Sequence, residues 1–354
     1  MRDAGYLALA VPQVLGGLGL NLAEVARQQR RLAYYAPATA LAINMHHYWV
    51  GTAADLWRSG DKSLEWMLRG AVQGDVFAAG HAEAGNDIPA LFSTTKAERV
   101  DGGYRFSGHK SFGSLTPVWT YLGLHGMETN GNGENKVIHA FMPRSAEGYT
   151  IKETWDTLGM RATRSDDTIL NGAFVPDEYI ARVVPAGFAG ADQFVLTIFA
   201  WVLINFANIY TSIARRSLDL AVQNLQGKKS IAMTRPMIYH PAVQYGVADM
   251  IMELEMIEPM LEKTAQDWAN GVAHPDWIIK LLTAKCQAVE RSWKVVDTAF
   301  ELGGGFGIFK RNELERLFRD ARLGRIHPGN GAFTREIIGK AYLGISPDEQ
   351  PRWG

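Results

Sequence analysis

Residues Gly303 to Asn330 read GGGFGIFKRNELERLFRDARLGRIHPGN. A glycine cluster closes a long helix-period run, a short charged segment follows, and the chain turns sharply at His327-Pro328-Gly329-Asn330. Gly303, Gly304 and Gly305 let the backbone take positive φ and approach another surface closely. From Glu313 to Arg322, the charges Glu313, Glu315, Arg316, Arg319, Asp320 and Arg322 fall among Leu314, Leu317 and Phe318. That spacing suits a helix with an apolar stripe and an ion-pair face. Taken alone, the stretch is a helix C-cap, a surface helix and a turn. It is not a dinucleotide loop, which should follow a strand and open a helix.

Upstream of the glycines the helical period persists. Leu282, Cys286, Val289, Trp293, Val296 and Phe300 recur at spacings of three and four, as do Val243, Val247, Met250, Leu254, Ile257 and Leu261. Pro259 should kink or locally break the second stripe. Phe194 to Ala214 approaches membrane-span length, but Asn205, Asn208, Thr211 and Ser212 interrupt it. We read it as a helix buried on all sides of an antiparallel bundle, with no membrane span.

The texture differs further toward the N-terminus. Short apolar runs at Tyr104–Phe106, Trp119–Leu124, Val137–Met142 and Thr168–Leu170 are separated by turn signals at Asp101-Gly102-Gly103 and Asn130-Gly131-Asn132-Gly133. This is the signature of an antiparallel sheet. Before it, Leu22 to Tyr35 has a helical period, and the adjacent His46 and His47 point about 100° apart on a helix, a poor metal pair. The expected α+β organisation is a helical domain over 1–74, a β-domain over 75–190, a helical bundle over 191–345 and a loop tail over 346–354.

Bulk composition excludes several classes. The chain has 354 residues, 47 % apolar content and a formal charge of −1, with no basic tract suited to nucleic acid. The one cysteine, Cys286, cannot form an internal disulfide and lies in a helix stripe. With no apparent secretory signal, a reducing, cytoplasmic setting is expected.

The order helices, sheet, bundle, together with local motifs, resembles the acyl-CoA dehydrogenase superfamily of flavoproteins over nearly the whole chain. The motifs are Val11-Pro12 with Leu15-Gly16-Gly17-Leu18-Gly19, then His81-Ala82-Glu83-Ala84-Gly85-Asn86-Asp87, then Tyr104 to Phe112. Leu158 to Thr163, Val175-Pro176, and Leu302 to Gly307 running into Arg319-Asp320-Ala321-Arg322 complete the set. Against the family, the first helical domain looks short by about one helix. The resemblance implies FAD between β-domain and bundle, in a homodimer or homotetramer or in a heteromer with a paralogous chain. It places flavin contacts on His81, Ala82, Glu83, Phe112, Ser114, Gly303, Gly304 and Asn330, and on Lys229 and Ser230 of a neighbouring subunit. An aromatic wall with a few hydroxyl and backbone donors is what an isoalloxazine ring needs.

The sequence departs from the family where the chemistry should be. A family dehydrogenase uses a glutamate to remove the proton α to a thioester carbonyl. The two usual positions for that base hold Pro328 and Val202, and the neighbours Trp201 and Leu203 are also non-acidic. Phe300 stands where a glutamine would meet the neighbouring subunit's flavin, and Leu203 where an arginine is usual. Three readings follow. An acyl-thioester oxidoreductase would need another base, namely His327, Glu83 or His81. A monooxygenase of the same superfamily would use His327 to hydrogen-bond a flavin hydroperoxide. A non-catalytic subunit would complete a partner's site. Each leaves the substrate a small hydrophobic molecule, and no metal is expected.

Overall fold

The computed structural model describes residues 1–129 and 134–349; the Asn130–Gly133 turn signal lies outside the described residues. The chain opens with α1 (Leu22–Tyr35), α2 (Pro37–Arg58) and α3 (Glu65–Gln73). Asn21 starts α1 with a reciprocal capping box: its side chain accepts from the Glu24 amide, and the Glu24 carboxylate accepts from the Asn21 amide. Strands follow as β1 (Phe77–Gly80), β2 (Lys96–Val100), β3 (Gly103–Gly113), β4 (Tyr121–Thr129), β5 (Asn135–Pro143), β6 (Tyr149–Lys152), β7 (Asp166–Pro176) and β8 (Ile180–Pro185). The chain then becomes helical: α4 (Gln193–Gln226), α5 (Pro241–Ala269), α6 (Trp277–Gly303), α7 (Glu313–Arg322) and α8 (Gly331–Leu343).

The strands form one sheet in the order β6-β7-β3-β2-β4-β5-β8. The expectation of a wholly antiparallel sheet needs correction, because β1 runs parallel to β4 with Phe77 opposite Tyr121, and β2 meets β4 in parallel at Lys96 and Met127. β1 is reached from α3 rather than through a hairpin, so nothing forces it to run against its neighbour.

Two apolar cores result, one under the sheet around Phe106, Leu124 and Ile138, and a larger one shared by the helices. α4 is long and apolar enough to cross a bilayer, yet 83 % of its most apolar window is buried inside the protein. It is the central helix of the bundle, packed against α1, α2, α5 and α6. Pro259 does not break α5, which runs continuously from Pro241 to Ala269. Ile257 and Leu261 on either side are fully buried, and that packing offsets one missing backbone hydrogen bond.

Close approach fixes how the layers dock. The Trp49 indole of α2 donates to the Ala78 carbonyl of β1 at 3.0 Å and fills the space a Cβ on Gly123 would need. Asp55 Oδ2 accepts from the indole N–H groups of Trp201 at 2.7 Å and Trp268 at 2.9 Å, pinning α2, α4 and α5 together. In the glycine cluster only Gly304 takes positive φ (69°); Gly303 ends α6.

Candidate functional site

β3 ends in a tight piece of backbone at which several expected contacts meet. Phe112 has φ 57° and a ring that is 62 % exposed, resting edge-on against Trp155 with centroids 6.1 Å apart. Holding a non-glycine residue there costs of order 1–3 kcal/mol, a strain that clusters at functional sites. Beneath it, the Ser114 hydroxyl lies 2.8 Å from that of Ser165, which lies 2.6 Å from that of Thr163. The Ser111 amide donates to the Ala82 carbonyl at 2.9 Å, so the segment from His81 to Glu83 lies alongside Phe112. The sheet surface thus offers an exposed aromatic ring, with a buried row of linked hydroxyls near it.

The side chain of Glu83 is elsewhere. It is buried and accepts from Lys110 Nζ at 2.5 Å, Ser93 Oγ at 2.7 Å, Thr95 Oγ1 at 2.6 Å, Asn86 Nδ2 at 2.9 Å and the amides of Thr94 and Thr95 at 2.9 and 3.0 Å. Burial opposes its charge, but the Lys110 ammonium and these donors outweigh it and hold the carboxyl at about 2. That removes Glu83 as a base, correcting the sequence expectation, since a carboxylate so stabilised has little affinity for a carbon-bound proton. His81 stands against Tyr48 and Trp49, with His125 at a centroid distance of 4.9 Å, and burial drives it well below the ordinary imidazole range.

The second half of the site is the turn after α7. Asn330 caps α8, its Oδ1 accepting from the amides of Ala332 and Phe333 at 3.0 Å each. His327 is partly buried between α4 and α6, its ring 5.0 Å from that of Phe206 and its Nδ1 3.0 Å from the Tyr210 hydroxyl. Burial, reinforced by the nearby Lys285 ammonium, pushes this imidazole down to about 3. Pro328 is exposed and Val202 partly buried beside the helix core, and neither can take a proton.

α7 joins the two halves. Asp320 Oδ1 accepts from the Met160 amide at 2.5 Å, and Arg319 donates to the Leu158 carbonyl at 2.8 Å. The Met160 carbonyl in turn accepts from the Trp155 indole at 3.2 Å, and Trp155 touches Phe112. The Arg-Asp-Ala-Arg segment therefore clamps the loop after β6 onto the bundle. Gly303 and Gly304 form a separate group, where Lys228 Nζ donates to the Leu302 and Gly303 carbonyls at 3.1 and 3.3 Å. Lys229 is exposed next to it, and Ser230 is partly exposed. Phe300 packs on Phe318 within the chain, centroids 4.6 Å apart.

Two side chains of this site were not singled out by sequence. Tyr210 stands in the apolar run of α4, where periodicity cannot separate core from cavity. Lys285 passed unnoticed, although a lysine among Leu281, Leu282, Cys286 and Val289 on a buried stripe was a visible signal. Beside the turn, where Leu203 and Leu282 face Gly329, these two and Leu91, Phe188, Phe199 and Phe333 line an apolar void of about 10 Å³. A larger, open groove of about 500 Å³ lies by Arg105 and Phe174, at the opposite end of β3 from Phe112. Among the described residues there is no cluster of His, Cys, Asp and Glu suited to a metal ion.

The profile of the family "Acyl-CoA dehydrogenase, C-terminal domain" matches residues 194–343, the bundle that carries Tyr210, Lys285 and His327. Along the rest of the chain, the protein YdbM of Bacillus subtilis (strain 168), whose name places it with acyl-CoA dehydrogenases, is 29 % identical over 97 % of this chain and 88 % of its own. Residues 194–343 thus carry the acyl-CoA dehydrogenase C-terminal domain, and over its whole length the chain is similar to proteins of that superfamily. Within that superfamily, the amino sugar nitrososynthase DnmZ of Streptomyces peucetius is 27 % identical, covering 97 % of this chain and 85 % of its own. The structure of KijD3 in complex with FMN and dTDP-3-amino-2,3,6-trideoxy-4-keto-3-methyl-D-glucose superimposes with a TM-score of 0.84 at 24 % identity, covering 99 % of this chain and 86 % of that one. The α+β fold of the superfamily is thereby common to chains named for dehydrogenation and for nitrogen oxidation.

Proposed function

We propose that this chain is a flavin-dependent monooxygenase acting on a small hydrophobic or amine-bearing substrate, with His327 as the group that manages the proton at the reacting centre. One observation carries the reading. Where a carbon acid would have to deliver its proton the chain has Pro328 and Val202, and the imidazole beside them is held at about 3. A general base works best near the operating pH, so this imidazole is a poor acceptor and a good neutral donor. Burial keeps the Tyr210 phenol protonated. So protonated, it can donate to His327 Nδ1, and in that tautomer the ring proton sits on Nε2, which is then the donor. The likeness to DnmZ, named as an amino sugar nitrososynthase, supports the same reading.

FAD is the cofactor we infer, bound against Phe112 and the Ser114 hydroxyl, with His81, Ala82 and the backbone of Glu83 alongside. The exposed ring of Phe112 above linked hydroxyls fits an isoalloxazine better than it fits an ordinary sheet surface. When bound and reduced, the flavin supplies the two electrons that dioxygen needs to transfer one oxygen atom. Gly303, Gly304 and Asn330 would complete the site, with Lys229 and Ser230 serving the flavin of a second copy. A homodimer or homotetramer is supported by the exposed apolar side chains Ile231, Tyr239, Tyr245 and Phe306 around those residues. The single cysteine supports a cytoplasmic setting.

The likeness to YdbM favours a second reading, oxidation of an acyl thioester in lipid metabolism with an atypical base. Adding acyl-CoA to the flavin-loaded protein without oxygen separates the two. Unchanged flavin absorbance is expected; bleaching would restore the dehydrogenase. Failure of the isolated chain to retain flavin unless a paralogous chain is present would instead mark a non-catalytic subunit, to which the loss of the usual glutamine at Phe300 also points.

A further inference from the structure

We propose that Lys285 is the positioning residue for His327: its buried ammonium ties together the turn that carries the imidazole and sets a positive charge beside it. The proposal rests on the reading of His327 given above and assigns a task to a lysine that reading does not use.

Lys285 is 1 % exposed, and all three protons of its ammonium are directed at backbone. Nζ donates to the carbonyls of Gly324 at 3.0 Å, His327 at 3.1 Å and Gly329 at 3.3 Å. Among the described residues no carboxylate shares this bonding, which is unusual because buried cations are normally paired. The nearest acid on its helix, Glu290, is engaged by Arg325 at 3.0 Å. A charge buried at this cost and turned onto carbonyls fixes the path of backbone on both sides of His327. Gly329 is part of the same arrangement. It has φ 70°, and a Cβ there would press on Leu203, Leu282 and the Lys285 stem at 3.0, 3.3 and 3.6 Å.

The groups that face His327 are few. Tyr210 comes from α4 and Lys285 from α6, and Asp320 of α7 acts on Tyr210 from behind. Lys285 is thus the charged neighbour that disfavours protonation of the imidazole, in the same direction as burial. Burial lowers Lys285 itself to about 8, so the charge is present at neutral pH and is lost just above it.

The test is nuclear magnetic resonance of protein labelled with ¹⁵N in its histidine rings, with no flavin or substrate added and His327 assigned by its absence in His327→Gln. In the wild-type chain the His327 ring signals should move as Lys285 loses its proton, with a midpoint near pH 8. In Lys285→Met the midpoint of His327 protonation should rise from about 3 toward the ordinary imidazole value, and Lys285→Arg should keep it low. His327 signals flat through pH 8 would overturn the proposal, as would an unchanged midpoint in a folded Lys285→Met. The wild-type titration needs no variant to fold, so it decides even if Lys285→Met does not. The readout is independent of the flavin reaction: loss of oxygenation chemistry with the linkage intact would sink the proposed function and leave this inference standing.

Discussion

Replacing Lys110 by Met should expose how the sheet half of the site is held. In the wild-type chain Lys110 and Glu83 are both buried, with side chains 1 % and 0 % exposed, and Nζ is also bound to the His125 carbonyl at 2.6 Å. Methionine fills a similar volume without the charge, so the loss is electrostatic rather than a cavity. Removing one partner of a buried pair typically costs about 3–5 kcal/mol. The carboxylate keeps the donors from Asn86, Ser93, Thr94 and Thr95, which argues for the lower end, about 3 kcal/mol. The pH dependence adds a sharper check. In the wild type the Glu83 carboxyl is held down, so its contribution is complete above its ordinary value and disappears as pH falls toward about 2. In Lys110→Met the same carboxyl is buried without its cation and rises, so the penalty is full at neutral pH and fades as Glu83 takes a proton. The difference between the two proteins should therefore narrow on acidification. Urea denaturation followed by tryptophan fluorescence at pH 7 and pH 4.5 measures it. A loss below about 1 kcal/mol at pH 7, or a gap that widens at pH 4.5, would refute the assignment of this pair as a tightly coupled charge.

Gly51→Ala should lower stability by about 2–3 kcal/mol or more in the same assay, because its Cβ would sit 2.2 Å from the rigid indole of the buried Trp201. Gly227→Ala, where a Cβ meets nothing within 4 Å, is the control and should change little. Tyr210→Phe removes one hydrogen bond to His327, worth about 1 kcal/mol. Peroxide release by the flavin-loaded variant should rise several-fold, since the His327 tautomer is no longer fixed; wild-type release would show that the hydroxyl has no part in orienting it.

The fold was readable where patterns are long. The stripes of α5 and α6 and the apolar run of α4 announced a bundle, and Leu22–Tyr35 is a helix over the expected span. The parallel pairing of β1 was not readable, because a four-residue strand carries no mark of its direction. Pro259 misled because a local rule gave way to the fully buried Ile257 and Leu261 beside it. At the site, the family resemblance points to a missing carboxylate at Pro328 or Val202 and to His327 next in the chain. It could not tell that Glu83 is consumed by Lys110, 27 positions away, nor that Tyr210 and Lys285 converge on His327 from different helices. Those facts exist only after the chain has folded, since each depends on which face of a helix or strand meets another.

The central claim is that an imidazole, not a carboxylate, handles the proton beside the flavin, and that dioxygen rather than an acyl thioester is the flavin's reaction partner. The most direct measurement supplies reduced FAD and dioxygen to the wild-type chain and to His327→Ala and follows hydrogen peroxide release. The account requires slow release from the wild type and markedly faster release from the variant. Equal release from the two proteins would contradict it.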